Sequence, residues 1–128
     1  MKIANGHQPV MPYLILKNAN DFIGFTKKVF GAEEVFKSYR DNDNQIIMHA
    51  EIRINGCNIM FADVTEGFDI ANANLFIYTD DADITFKKAL NNGCIIVNEL
   101  ANQNYGRSGG VQDPFGNVWW ITSMNKEA

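Results

Sequence analysis

Cysteine is almost missing from this sequence, basic residues are outnumbered by acidic ones, and no long apolar run is present; each shortage removes a class of protein. The two cysteines, Cys57 and Cys94, stand 37 positions apart and outside any CxxC pair, which excludes a dithiol redox motif and a zinc-knuckle spacing. Both are expected to be reduced, structural thiols that pack as small hydrophobes. Eleven Lys and Arg against fifteen Asp and Glu leave a net charge of −4, with the cations dispersed. Without a positive field to neutralise phosphates, no nucleic-acid partner is expected. No apolar segment approaches the roughly 20 residues that cross a bilayer, and the opening MKIANGHQPV has no apolar core of a secretory signal. No membrane partner and a cytoplasmic location are therefore expected.

What the chain does have is an ordinary globular composition, 46% hydrophobic and 12% aromatic over 128 residues, sufficient for one core and one domain over residues 1–128. Val10 to Leu16 reads as a strand. Asn18 to Asp21 then offers N-cap residues for a helix whose apolar positions Phe22, Phe25 and Val29 recur at three- and four-residue spacing, with Gly31 as its left-handed terminator. Strands are predicted at Glu34 to Tyr39, Ile46 to Ile54 and Asn58 to Asp63, with the polar DNDN run at Asp41 to Asn44 between the first two. Asn55-Gly56 joins the last pair, the dipeptide favoured by a type I′ hairpin because both central residues need positive φ.

The order then repeats. A strand at Asn74 to Thr79, a helix from Asp81 or Ala82 to Asn91, Gly93, and strands at Cys94 to Val97, Gly110 to Asp113 and Val118 to Thr122 follow in turn. Ile23-Gly24-Phe25-Thr26-Lys27 matches Ile84-Thr85-Phe86-Lys87-Lys88 at an offset of 61, and Gly56 matches Gly116 at 60. Self-similarity at this period points to a duplicated unit. The expectation is an α+β fold of two βαβββ modules, about 10–64 and 73–123, forming a curved mixed sheet around a cavity with the helices on the outer face.

Strand alternation sorts side chains into a helix-covered set and a cavity set. Ile59, Phe61, Trp119 and Ile121 suit the covered face, which leaves Met60 and Trp120 for the cavity. Met11, Tyr13 and Ile15 correspond to Asn74, Phe76 and Tyr78, and both sets are assigned inward. On the long middle strand, Ala50, Ile52 and Ile54 suit the covered face, which turns His49, Glu51 and Arg53 to the other side.

The segment Tyr105-Gly106-Arg107-Ser108-Gly109-Gly110-Val111-Gln112-Asp113-Pro114-Phe115-Gly116-Asn117-Val118-Trp119 closely resembles the DPFGN-W signature that closes vicinal oxygen chelate domains, the glyoxalase, bleomycin-resistance and dioxygenase group. Met-Pro-Tyr-Leu at Met11 to Leu14, Lys28-Val29-Phe30-Gly31, and His49-Ala50-Glu51 before Asn55-Gly56 are similar to its PhnB-like branch. The resemblance implies the glyoxalase-like fold and a small-molecule site. It also implies that the four ligand positions of metal-dependent members fall on Met11, Met60, Asn74 and Trp120. Thioether is soft, an indole nitrogen only donates, and one amide oxygen is a weak ligand, so no metal and no other cofactor is expected.

Glyoxalase and extradiol dioxygenase chemistry, which use the metal as a Lewis acid, are accordingly disfavoured. The preferred reading is a protein that binds a flat or aromatic molecule through Met11, Tyr13, Met60, Asn74, Phe76, Tyr78, Tyr105 and Trp120, as bleomycin-resistance members bind without transforming. Two alternatives stand beside it. One is a metal-independent lyase or isomerase with Glu51 or His49 as general base and Arg107 as electrostatic stabiliser, although Arg107 has an equal claim to a structural bond with the Asp113 to Asn117 turn. The other is a metal-dependent lyase or dioxygenase whose site has moved to His49, Glu51, His7 or Asp63, against the ordinary expectation of a solvated His7 and a turn carboxylate at Asp63. The resemblance further implies a homodimer. Elemental analysis of the purified protein is expected to find less than stoichiometric Mn, Fe, Ni and Zn. One equivalent of chelator-removable metal would overturn the donor argument.

Overall fold

The computed structural model describes residues 1–41 and 43–124; Asn42, within the DNDN run, lies outside the described residues. The elements are β1 (Tyr13–Leu16), α1 (Ala19–Phe30), β2 (Glu33–Arg40), β3 (Asp43–Ile54) and β4 (Cys57–Asp63), then β5 (Asn74–Tyr78), α2 (Ala82–Asn91), β6 (Ile95–Gln103), β7 (Gly106–Gln112) and β8 (Val118–Ser123). This is βαβββ twice in an α+β fold. The chain divides between Asn72 and Ala73 into two compact units. Its strands form two four-stranded sheets, β1-β4-β3-β2 and β5-β8-β7-β6, where a single mixed sheet was expected. The last strand of each module lies between the first and third, parallel to the one and antiparallel to the other, so each module completes a sheet by itself. Both sheets are open, with edges at β1 and β2 or at β5 and β6.

Alternation sets the two faces as the apolar pattern requires. In the first unit Leu14, Leu16, Ala50, Ile52, Ile59 and Phe61 are buried together with Phe22, Phe25 and Val29 of α1. The Phe22 and Phe61 rings meet edge to face at 4.9 Å, a favoured aromatic geometry. In the second unit Val111, Trp119 and Ile121 are buried with Phe86 and Ala89 of α2. Cys94 is buried beside them, its thiol pushed up to about 12 by burial and by the nearby Asp113 carboxylate. It is therefore a poor nucleophile, whereas Cys57 is exposed.

Each helix is anchored by the final residue of its own module's last strand. Asn18 precedes α1 in a left-handed conformation and makes no side-chain cap. The Ala19 N–H instead donates to Asp63 Oδ1 at 2.9 Å, and the Ile47 N–H donates to Asp63 Oδ2 at 2.7 Å. In the second unit the Ala82 N–H donates to Ser123 Oγ at 3.1 Å, while Asp81 accepts from Ile84 N–H. Asp63 and Ser123 are 60 positions apart, at the repeat offset. The buried Asp63 is thus a helix and strand anchor and not the turn carboxylate expected.

The signature turn is held by a second buried carboxylate. Asp113 Oδ1 accepts from the N–H groups of Phe115 and Asn117, and Oδ2 accepts from Asn117 Nδ2 and from Trp119 Nε1 at 2.8 Å. Gly116 takes φ 97° in this turn, a region that L side chains rarely enter. The DPFGN-W pattern therefore encodes one self-satisfied turn that carries Trp119 into the core.

Strand bounds depart most from expectation at β1, β3, β6 and β7, with β3 beginning at Asp43 inside the run expected to lie between strands. β1 begins at Tyr13 and not at Val10, which is 82% exposed; Pro12 has no N–H to contribute to a ladder. β6 and β7 run much further than predicted and meet at Asn104 and Tyr105. Their sequence carries no alternation because β6 is an edge strand with most side chains in solvent, and because Gly109 and Gly110 serve close packing.

Replacing Asp63 with Ala leaves two buried N–H groups unpaired, so it is expected to cost about 3 kcal/mol. Ser123→Ala removes one cap and is expected to cost about 1 kcal/mol. Urea unfolding of the two variants checks this, and equal losses would contradict the anchoring role given to Asp63.

Candidate functional site

Each unit has one sheet face that its helix does not cover, and the predicted site residues other than Arg107 lie on or beside it. In the first unit, Tyr13 on β1, Met60 on β4 and Glu51 on β3 stand in register, with Phe36 of β2 opposite Glu51. His49 sits between two rings, 5.5 Å from Tyr13 and 5.8 Å from Phe36. Its Nδ1 and the Tyr13 hydroxyl are 2.9 Å apart and share a hydrogen bond whose donor depends on the imidazole tautomer. Met11 is half-buried ahead of β1.

Glu51 is 4% exposed. Its Oε2 accepts from His7 Nε2 at 2.8 Å, so His7 is a partnered side chain and not the solvated one expected. Residues 6–8 are laid along β3 and β4 by the fully buried Asn58. Asn58 Nδ2 donates to the Gly6 carbonyl and to Gln8 Oε1, and Gln8 Nε2 donates to the Asn58 carbonyl at 2.8 Å. Arg53 Nε donates to Asn58 Oδ1 at 3.0 Å. Nothing in the periodicity of the sequence signals this, since residues 1–9 carry no pattern and their partners are 44 to 52 positions away.

In the second unit the Trp120 indole lies across the strands. Its Nε1 donates to Asn74 Oδ1 on β5 at 3.1 Å. Its six-membered ring rests over Gly110 of β7, where an added Cβ would stand 2.5 Å from a ring carbon. Trp120 is nonetheless only half-buried. Phe76, Tyr78 and Tyr105 are each more than half exposed, with Phe76 in ring contact with Tyr78 at 5.2 Å and with Tyr105 at 6.4 Å. Gly110 as the seat of Trp120 is a site residue that sequence reasoning missed.

Arg107 lies on the other side of this sheet. It is opposite Ser123 in the β7–β8 register, alternating with the positions that share a face with Trp120. Its Nε and Nη2 bind both oxygens of Asp83 at 2.7 and 3.0 Å, and this contact raises its pKa further. Arg107 thus belongs to a strand and pairs with α2. It makes neither a loop contact to the Asp113 turn nor an approach to the aromatic face. A hollow of about 550 Å³ opens beside it, lined by Asp80, Asp81, Asp83, Asn102, Arg107 and Ser123. Since Asp81 caps α2 and Asp83 binds Arg107, these groups already serve one another, and the aromatic face is the better candidate site.

The metal positions implied by the resemblance carry donors that fit a divalent ion poorly. Asn74 Oδ1 already accepts from Trp120, and Met11, Met60 and Trp120 offer no hard donor. Among the described residues no group of three or more His, Cys, Asp or Glu is placed to hold a metal ion. For a relocated site, His7 and Glu51 occupy one another, His49 binds Tyr13, and Asp63 binds two backbone N–H groups. Among the described residues no helix is long and apolar enough to cross a membrane.

Comparison with known proteins matches this geometry to a family. The model of the Glyoxalase/Bleomycin resistance protein/Dioxygenase superfamily matches residues 10–121. An uncharacterized protein of Mycobacterium bovis is 32% identical over 135 residues, covering 96% of this chain and 88% of the relative. Among solved structures, a PhnB protein from Bacillus cereus superposes with a TM-score of 0.70 at 22% identity, over 91% of this chain and 99% of that one. An antibiotic binding protein from Streptomyces sp. CB03234 superposes with a TM-score of 0.70 at 15% identity, over 93% and 100% of the two chains. The last two identities speak for the fold alone. With the family model spanning both βαβββ units, this chain belongs to the glyoxalase/bleomycin resistance protein/dioxygenase superfamily.

Proposed function

We propose that the protein binds a flat, largely apolar organic molecule on the Trp120 face of its second unit and does not transform it. The observation that carries this reading is the indole laid flat between Asn74 and the bare backbone of Gly110, with Phe76, Tyr78 and Tyr105 exposed around it. Aromatic side chains left in water are poorly used unless something stacks on them, and a fixed ring offers its π-face at little further cost in side-chain entropy. The Asn74 and Trp120 pair, spent on one another, supplies position and not acid or base chemistry. A Streptomyces structural neighbour is itself an antibiotic binding protein, a precedent for this fold as a binding module.

Met11, Tyr13, Met60, Glu51 and His49 form the more polar open face of the first unit. They are the seat of the enzymatic alternative, in which Glu51 or His49 removes a proton. A bound compound recovered chemically altered, with the change lost in Glu51→Gln, would establish that alternative. A homodimer is part of the same proposal: Ile95, Ile96 and Val97 are exposed on edge strand β6, and an open apolar edge is a template for pairing with another chain. Sedimentation of the protein at micromolar concentration is expected to show twice the chain mass.

A screen of flat aromatic compounds, read by tryptophan fluorescence and thermal shift, tests the main reading. Hits are expected to perturb Trp120 fluorescence and to be recovered unaltered, and Trp120→Ala should lower their affinity by at least tenfold, about 1.4 kcal/mol. Gly110→Ala, which unseats the indole without removing it, should weaken the same hits several-fold and alter the fluorescence of the free protein. Hits that bind both variants as tightly as the native chain would remove the aromatic face from consideration.

A further inference from the structure

We propose that the Glu51 carboxylate is a binding site for a small molecule with a planar N–H head group, an imidazole, amidine or guanidine, and that His7 occupies this site in place of such a ligand. The inference rests on the first unit alone and is independent of the aromatic-face reading.

The sheet presents Glu51 without giving it a partner of its own. Its cross-strand neighbours are Met60 on one side and Phe36 on the other, and neither can bond to a carboxylate. The charged and titratable groups nearest on the same strand face are already committed, His49 to Tyr13 and Arg53 to Asn58. A carboxylate this deeply buried requires a hydrogen-bonded partner. That partner arrives from outside the βαβββ repeat, as the flat His7 ring on an irregular segment.

The segment is held in a way that favours release. Apart from the His7 and Glu51 bond, residues 1–9 are tied to the sheet by hydrogen bonds through Asn58 to Gly6 and Gln8 and by the Arg53 guanidinium beside Gly6. The segment's apolar side chains contribute little, since Met1, Ile3 and Val10 all stand in solvent. Segments with few buried apolar contacts open at low free energy, and water can satisfy every group that the opening exposes. A solute with the N–H geometry of His7 would then compete for Glu51. Its apparent affinity would be reduced by the fraction of molecules in which the segment is open.

The test is imidazole binding to the full chain at pH 7.5, measured by titration calorimetry, with thiazole as a ring of similar shape that lacks an N–H donor. His7→Ala is expected to bind imidazole at least tenfold more tightly than the native chain, which corresponds to a segment closed in about nine molecules of ten. Thiazole should show no such gain, and Glu51→Gln in the His7→Ala background should abolish it. A folded His7→Ala protein with no gain, or a gain that survives Glu51→Gln, overturns the proposal. Should His7→Ala fail to fold, Gln8→Ala loosens the segment while leaving both His7 and Glu51 in place. It is expected to show a smaller gain, and unchanged imidazole affinity in that variant overturns the proposal equally.

Discussion

The carboxylate of Asp63 is the point on which the first unit turns. One oxygen receives the first N–H of α1 and the other receives a backbone N–H of β3, so a single side chain joins the end of the central strand to the helix and to its neighbour. Buried N–H groups need acceptors, and a helix start has several with none inside the helix. Supplying one from the sheet fixes where the helix lies over it. The helix in turn decides which sheet face is closed and which remains available. Ser123 repeats the arrangement in the second unit with a hydroxyl, for a single N–H.

From this follows the division of labour between faces. Most side chains beneath the helices are aliphatic or aromatic and buried, including Trp119, whose indole N–H is taken up by Asp113. Side chains on the uncovered faces are of two kinds. The first unit displays titratable groups in pairs, His49 with Tyr13 and Glu51 with His7. The second displays aromatic rings around a Trp120 held by an amide and a glycine. Adjacent tryptophans thus point to opposite faces: Trp119 is buried beneath α2, and Trp120 is only half-buried on the uncovered face.

The superfamily signature takes on a physical meaning here. Asp113 accepts three hydrogen bonds from within its own turn and a fourth from Trp119 of β8, and Gly116 provides the positive φ that closes the turn. The motif is a folding element that sets the register of β8. It brings Trp120 opposite Gly110. The uncovered faces are where the resemblance places the four ligand positions of metal-dependent members, and there this chain carries Met11, Met60, Asn74 and Trp120.

The sequence by itself determined the two βαβββ modules, the helix spans, the Asn55-Gly56 and Gly116 turns, and the faces of the residues assigned on the first and last strands of both modules and on the long third strand of the first. These follow from strand alternation, helix periodicity and positive-φ requirements, which are local properties of backbone geometry. The equivalence of Asp63 and Ser123 was present in the repeat offset as well, although only the caps reveal its use. Tertiary structure alone decided that the strands form two sheets, that β6 and β7 extend to a turn at Tyr105, that Arg107 binds Asp83, and that His7 reaches Glu51. Each depends on which strands become neighbours and on side chains that meet across long stretches of chain, 24 positions for Arg107 and Asp83 and 44 for His7 and Glu51. Local periodicity carries no information about such meetings, because a polar residue in a loop or on an edge strand satisfies the pattern equally well whether it ends in water or against a buried carboxylate.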